Sequence, residues 1–86
     1  MTLRIEKAVS GSKTIFRVSG RISSEGLEEF QAEITGLGAG TVLDLEHVTL
    51  IDVDGVRFLG DCEMQGMELV NCSPFIREWI ARERQS

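Results

Sequence analysis

The sequence predicts an α/β fold: a small mixed, mostly parallel four-stranded sheet with an N-terminal antiparallel edge strand, in the order β-β-α-β-α-β-α. Three observations lead there. Beyond Gly20, strand-like apolar runs alternate with segments whose apolar residues recur every three or four positions, the pattern of right-handed parallel crossovers. The first two strand patterns are separated by only Ser10, Gly11 and Ser12, a spacing that suits an antiparallel hairpin. Residues 41–57, TVLDLEHVTLIDVDGVR, run from β-branched and leucine residues into an acidic turn and a glycine, as a strand does when it passes into a helix.

Each element has a local reason. Leu3 and Ile5 alternate with Arg4 and Glu6, which marks a half-buried strand to about Val9. Thr14, Phe16 and Val18 share one face of a second strand. Ser23 and Ser24 precede Glu25, Glu28 and Glu29, a hydroxyl to cap a helix and carboxylates to complement its positive end. Leu27, Phe30, Ile34 and Leu37 then form one apolar stripe, and Gly36, Gly38 and Gly40 release the chain. GLGAG superficially suggests a nucleotide loop, but such loops follow a strand and open a helix, and this one comes in the reverse order.

Val42, Leu43 and Leu45 read as a central strand because apolar residues point to both sides. Val56, Phe58, Leu59 and Cys62 line the inner face of the next helix, with Asp61 and Glu63 toward water, and Gly66 ends it. Met67, Leu69 and Val70 supply a short strand. Ser73 and Pro74 then start a last helix, with serine as cap and proline where its missing N–H costs nothing. Ile76, Trp79 and Ile80 of that helix face the core.

Bulk composition narrows the function classes. With 86 residues, 42% hydrophobic and 27% charged, residues 1–86 form one domain with a single core. A net charge of -5 argues against nucleic acid, which clustered Lys and Arg recognise. No apolar run reaches the roughly 18–20 residues of a membrane span, and MTLRIEKAVSG lacks a signal-peptide core. A cytoplasmic address is expected. Cys62 and Cys72 lack the spacing of a zinc site or a redox pair and read as small buried hydrophobes. His47 stands alone and suggests no ligand or base. No metal or other cofactor is expected, and the sequence specifies no oligomeric state.

The acidic turn is the candidate site. IDVDGV is similar to the first motif of the haloacid dehalogenase phosphatases, where Asp52 would be the nucleophile and Asp54 the acid/base. That chemistry also needs a later lysine and acidic residues from other strands, whereas no lysine follows Asp54 and the only later aspartate is Asp61. The enzyme reading is therefore set aside.

VLDLEHVTLIDVDGVRFL resembles the signature of STAS domains, the family of anti-sigma factor antagonists, in which a strand enters a helix through an Asp-Ser-Ser-Gly turn. GRISSEGLEEF and MELVNCSPFIREWI resemble that family's first helix entry and its last strand, Ser-Pro turn and helix, so the likeness spans nearly the whole chain. The resemblance implies a protein-interaction module with no catalytic residue. Its partner would be an anti-sigma factor of serine-kinase type or, alternatively, the ATPase of an ABC-type transporter. The phosphoacceptor serine of the family falls on Asp54, its neighbour on Val53, and a common family aspartate on Ser23. A serine phospho-switch is therefore not expected, and Asp54 carries about one negative charge where phosphoserine carries nearly two. The expected partner-binding residues are Asp52, Val53, Asp54, Gly55, Arg57 and Asp61. Asp54 reads either as a recognition residue or as the cap of a helix starting near Gly55. Asp52 reads as a structural tie at the strand end, and Thr49 as a strand residue.

Overall fold

The computed structural model describes residues 3–85. Its elements follow the expected order: β1 (Arg4–Ser10), β2 (Lys13–Ile22), α1 (Ser24–Ile34), β3 (Thr41–Ile51), α2 (Val53–Met64), β4 (Glu68–Val70) and α3 (Pro74–Arg84). β1 pairs antiparallel with β2, and β2–β3 and β3–β4 pair parallel, in the spatial order β1-β2-β3-β4. The hairpin turn is tighter than its composition suggests. Ser10 pairs with Lys13, so only Gly11 and Ser12 turn the chain, with Gly11 at φ 63° as a two-residue hairpin demands.

The strand order dictates where the helices go. From β2 to β4 the chain steps always in one direction, and right-handed crossovers then place both connecting helices on the same face. Phe16, Val18 and Ile22 of β2, Leu43 and Leu45 of β3, and Leu69 of β4 meet Phe30 and Ile34 of α1, Val56, Leu59 and Cys62 of α2, and Ile76 and Ile80 of α3 in one buried cluster. Phe30 and Phe58 rings touch at 4.8 Å between centroids. The opposite sheet face carries no helix among the described residues, and Ile15 and Val42 stand there outside the core cluster.

Several local expectations change in the folded chain. α1 stops at Ile34, where the Thr35 N–H and hydroxyl both bond the Gln31 carbonyl and Gly36 follows at φ 85°. Leu37, expected as the last member of the apolar stripe, therefore lies past the helix and is 36% exposed. β3 is longer than its apolar run because β2 keeps pairing with it through Ile22 and Ile51, across two register shifts. His47 thus sits within a strand, opposite Ser19. Glu63, expected to face water, clamps α2 to α3 through Arg77 at 2.6 Å and Arg84 at 3.2 Å. The start of α3 is as expected, with the Ile76 N–H bonded to Ser73 Oγ at 3.3 Å and Pro74 in the first turn.

Asn71 leaves β4 at φ 55°, a conformation that asparagine tolerates better than most residues. Its amide donates to Asp44 Oδ1 at 3.0 Å, and the Glu46 N–H donates to the same oxygen. The Asn71 amide holds the Asp44 carboxyl below its ordinary range, against a smaller opposing effect of burial. A carboxyl with a depressed folded value stabilises the fold above its unfolded value of about 3.9 and loses that contribution as pH falls through the folded value. Asp44→Asn should therefore flatten the loss of stability on acidification below about pH 4, measured by denaturant unfolding at stepped pH. A wild-type slope in the variant would show that Asp44 is not the responsible group.

Candidate functional site

The turn from β3 into α2 is built by pairing that runs to the last residue of the strand. Ile22 pairs with Ile51, and the Asp52 N–H donates to the Ile22 carbonyl at 3.1 Å. The strand hold ends there, and the first helical residue is Val53, not Gly55. Asp52 is consequently the N-cap, extended at φ -107° and ψ -179°, with Oδ1 accepting from the Gly55 N–H at 2.9 Å. The expectation that Asp54 could cap this helix is thereby corrected. The cap is two residues earlier because pairing with β2 fixes where extended backbone stops.

The second oxygen of Asp52 reaches across to α1. Oδ2 accepts from the Ser24 N–H at 3.2 Å, across 28 residues of chain. Ser23 occupies the N-cap position of α1, yet its side chain makes no cap hydrogen bond. The expected hydroxyl cap is replaced by a carboxylate from the neighbouring helix start. One negative charge thus serves the positive ends of two helices, an arrangement both dipoles favour. Asp52 is the structural tie that its position suggested.

Gly55 is buried, and the reason is distance. A Cβ there would lie 2.8 Å from Ile22 Cγ2, 2.8 Å from the Ile22 carbonyl oxygen and 2.8 Å from Ile51 Cγ1. Only glycine lets the helix start pass this close to the two strand ends. Gly55 is therefore beneath the surface and positions the turn.

Around that support the other candidate residues lie outward. Asp54, in the first turn of α2, is exposed and makes no hydrogen bond or ion pair among the described residues. Val53 is 38% exposed. Arg57 and Asp61 are exposed as well, and the 54, 57, 61 spacing puts the three charged residues on one outer stripe. Arg57 Nε is 2.9 Å from Glu83 Oε1 of α3, with its side chain still 65% exposed, a surface pair worth at most about 1 kcal/mol.

Apolar surface beside the turn was not legible in the sequence. Leu50 and Phe75, with the half-buried Trp79, line a shallow groove of about 320 Å³ between the end of β3 and α3. Leu50 is 54% and Phe75 63% exposed, and Phe75 meets Trp79 edge to face. Both residues belong to otherwise ordinary amphipathic patterns, so no local signal marks them. Thr49 is accounted for by its hydroxyl donating to the Gly20 carbonyl at 3.1 Å. Burial, with Asp61 adding, pushes the Cys62 thiol up to about 12, and burial also raises Cys72. Such thiols carry little thiolate at neutral pH. Both Asp52 oxygens are taken by backbone N–H groups, and among the described residues no three His, Cys, Asp or Glu side chains gather to hold a metal.

No protein-family model and no curated protein matches the sequence. Solved structures do match the fold. The anti-sigma factor antagonist SpoIIAA in its unphosphorylated form superposes with a TM-score of 0.64 at 20% identity, covering 90% of this chain and 79% of that one. The fold is that of the STAS domains. The STAS domain of an anti-sigma factor antagonist from Rhodobacter sphaeroides also gives 0.64 at 20% identity, over 80% of this chain and 86% of that chain. A protein of the DUF3478 family from Shewanella loihica PV-4, with a SpoIIAA-like fold, gives 0.51 at 12% identity, over 96% and 76%. No helix among the described residues is long and apolar enough to cross a membrane.

Proposed function

We propose that this chain is a regulatory protein-docking module of the STAS kind, not an enzyme, whose partner meets the outer surface of the β3–α2 turn. The observation that supports this is the division of labour between two aspartates. Asp52 supplies the capping and the tie to α1, which leaves the Asp54 carboxylate exposed, with no hydrogen bond or ion pair among the described residues and only the dipole of α2 to complement. An exposed carboxylate at a helix start that makes no hydrogen bond or ion pair is available to a partner. Val53, Arg57 and Asp61 extend the contact along α2, while Asp52 and Gly55 hold it in place. Exposed Leu50 and Phe75 beside the turn supply apolar area of the kind protein partners bury. Neither Val53 nor Asp54 has a hydroxyl, so the module works without serine phosphorylation at this turn. An anti-sigma factor of serine-kinase type is the partner the architecture favours.

The test starts from affinity capture with the tagged chain in its native host, followed by affinity measurement with the purified partner. Asp54→Ala should weaken that complex about fivefold, the worth of one rim charge near 1 kcal/mol. Its unfolding midpoint should fall by no more than a few degrees, because only the interaction of a first-turn carboxylate with the helix dipole is lost and no cap is. An Asp54→Ser variant that instead binds an anti-sigma factor more tightly would show that the carboxylate holds the partner off, as a standing phosphate would. Wild-type affinity in both variants would remove Asp54 from the docking surface. Recovery of a transporter ATPase would redirect the assignment to a transport complex.

A further inference from the structure

The outer edge of β1 is an unpaired strand edge among the described residues. Among the described residues β1 pairs only with β2, over all seven of its residues and without a register shift. Its outward N–H and C=O groups form a regular strand edge, which is a template for another strand. At the other side of the sheet β4 has only three residues.

Charge on the helix-free face indicates what fits. Across that face Asp44 lies beside Arg17, and Arg17 beside Glu6, so signs alternate strand by strand until the row stops at the edge with Glu6. Arg4, on the same face of β1, has neutral Ser19 as its cross-strand partner and makes no ion pair among the described residues. We propose that a second copy of this chain pairs with it antiparallel along β1, about a two-fold axis through Ile5. In that register Arg4 of each copy faces Glu6 of the other, and the alternating row continues across the boundary. Ile5 meets Ile5 of the second copy on the helix side, and the Lys7 stem lies over the second copy's Leu3. An axis at Arg4, Glu6 or Lys7 would instead set like charges directly opposite, which is destabilising. The interface is isologous and closed, and it joins two sheets into one with every helix on the same side.

Sedimentation velocity over a range of concentrations reads the assembly, with circular dichroism confirming that each variant is folded. The wild type should dimerise. Glu6→Arg and Arg4→Glu, each creating like-charge pairs twice, should weaken the dimer by roughly tenfold or more. The double swap Arg4→Glu with Glu6→Arg should restore it. Ile5→Cys in a Cys72→Ser background should form a covalent dimer under copper–phenanthroline and air, and Val9→Cys should not. A wild type that stays monomeric, charge reversals without effect, or cross-linking at Val9 instead of Ile5 would overturn the proposal. None of these outcomes bears on Asp54, so the two surfaces are tested separately.

Discussion

Gly55→Ala is expected to lower the unfolding midpoint by about 8–15 °C, the equivalent of roughly 2 kcal/mol in a domain of this size. The added methyl would meet the Ile22 carbonyl oxygen and two isoleucine side chains at 2.8 Å. The carbonyl cannot turn aside, because it accepts the Asp52 N–H and belongs to the β2–β3 ladder. Ile22 is fully buried, so its side chain has no free volume to move into. The whole start of α2 must therefore lift from the sheet. Gly60, in the same helix, provides the contrast. A Cβ there would make only ordinary contacts, at 3.6 Å from Ile80 Cγ2 and 3.8 Å or more from Arg84. Gly60→Ala should gain from helix propensity and raise stability by a few tenths to about 1 kcal/mol. Thermal unfolding of the two variants side by side checks the argument. Equal effects would mean that the close approach at Gly55 is not what demands glycine there.

Asp52→Ala is expected to cost about 2 kcal/mol, more than an ordinary cap. Two backbone donors lose their acceptor at once, the Gly55 N–H within α2 and the Ser24 N–H at the start of α1. The Ser24 end is exposed and can turn to water, which keeps the total from doubling. Denaturant unfolding gives the size of the effect, and amide exchange gives its origin. Exchange should accelerate at both Gly55 and Ser24. Acceleration at Gly55 alone would reduce Asp52 to a simple cap with no hold on α1. Asp52→Asn should fall between the two, since its amide keeps one acceptor oxygen and loses the charge that favours both helix ends. Partner affinity should drop in these variants too, but with stability, whereas Asp54→Ala should change affinity with little loss of stability.

Most of the architecture is legible in the sequence. Element types follow from period and capping chemistry, as at Ser73 and Pro74, and parallel crossovers follow from alternation. Boundaries were less legible where a partner strand sets them. The apolar run of Val42, Leu43 and Leu45 gives no local sign that β2 goes on pairing with β3 as far as Ile51. Glu63 read as a solvent residue because nothing local reveals that α3 brings Arg77 and Arg84 to it.

By itself the sequence determined the α/β class, the strand and helix order and most of the core positions, and it pointed to the acidic turn as the candidate site. These rest on short-range regularities, which neighbouring residues encode. Only the tertiary structure decided which of the two aspartates caps α2 and ties it to α1. Both sit next to a helix start in the same tetrapeptide. The choice depends on Ile22 carrying the β2–β3 ladder to the strand end and on Ser24 arriving from a distant segment, contacts that no local pattern contains.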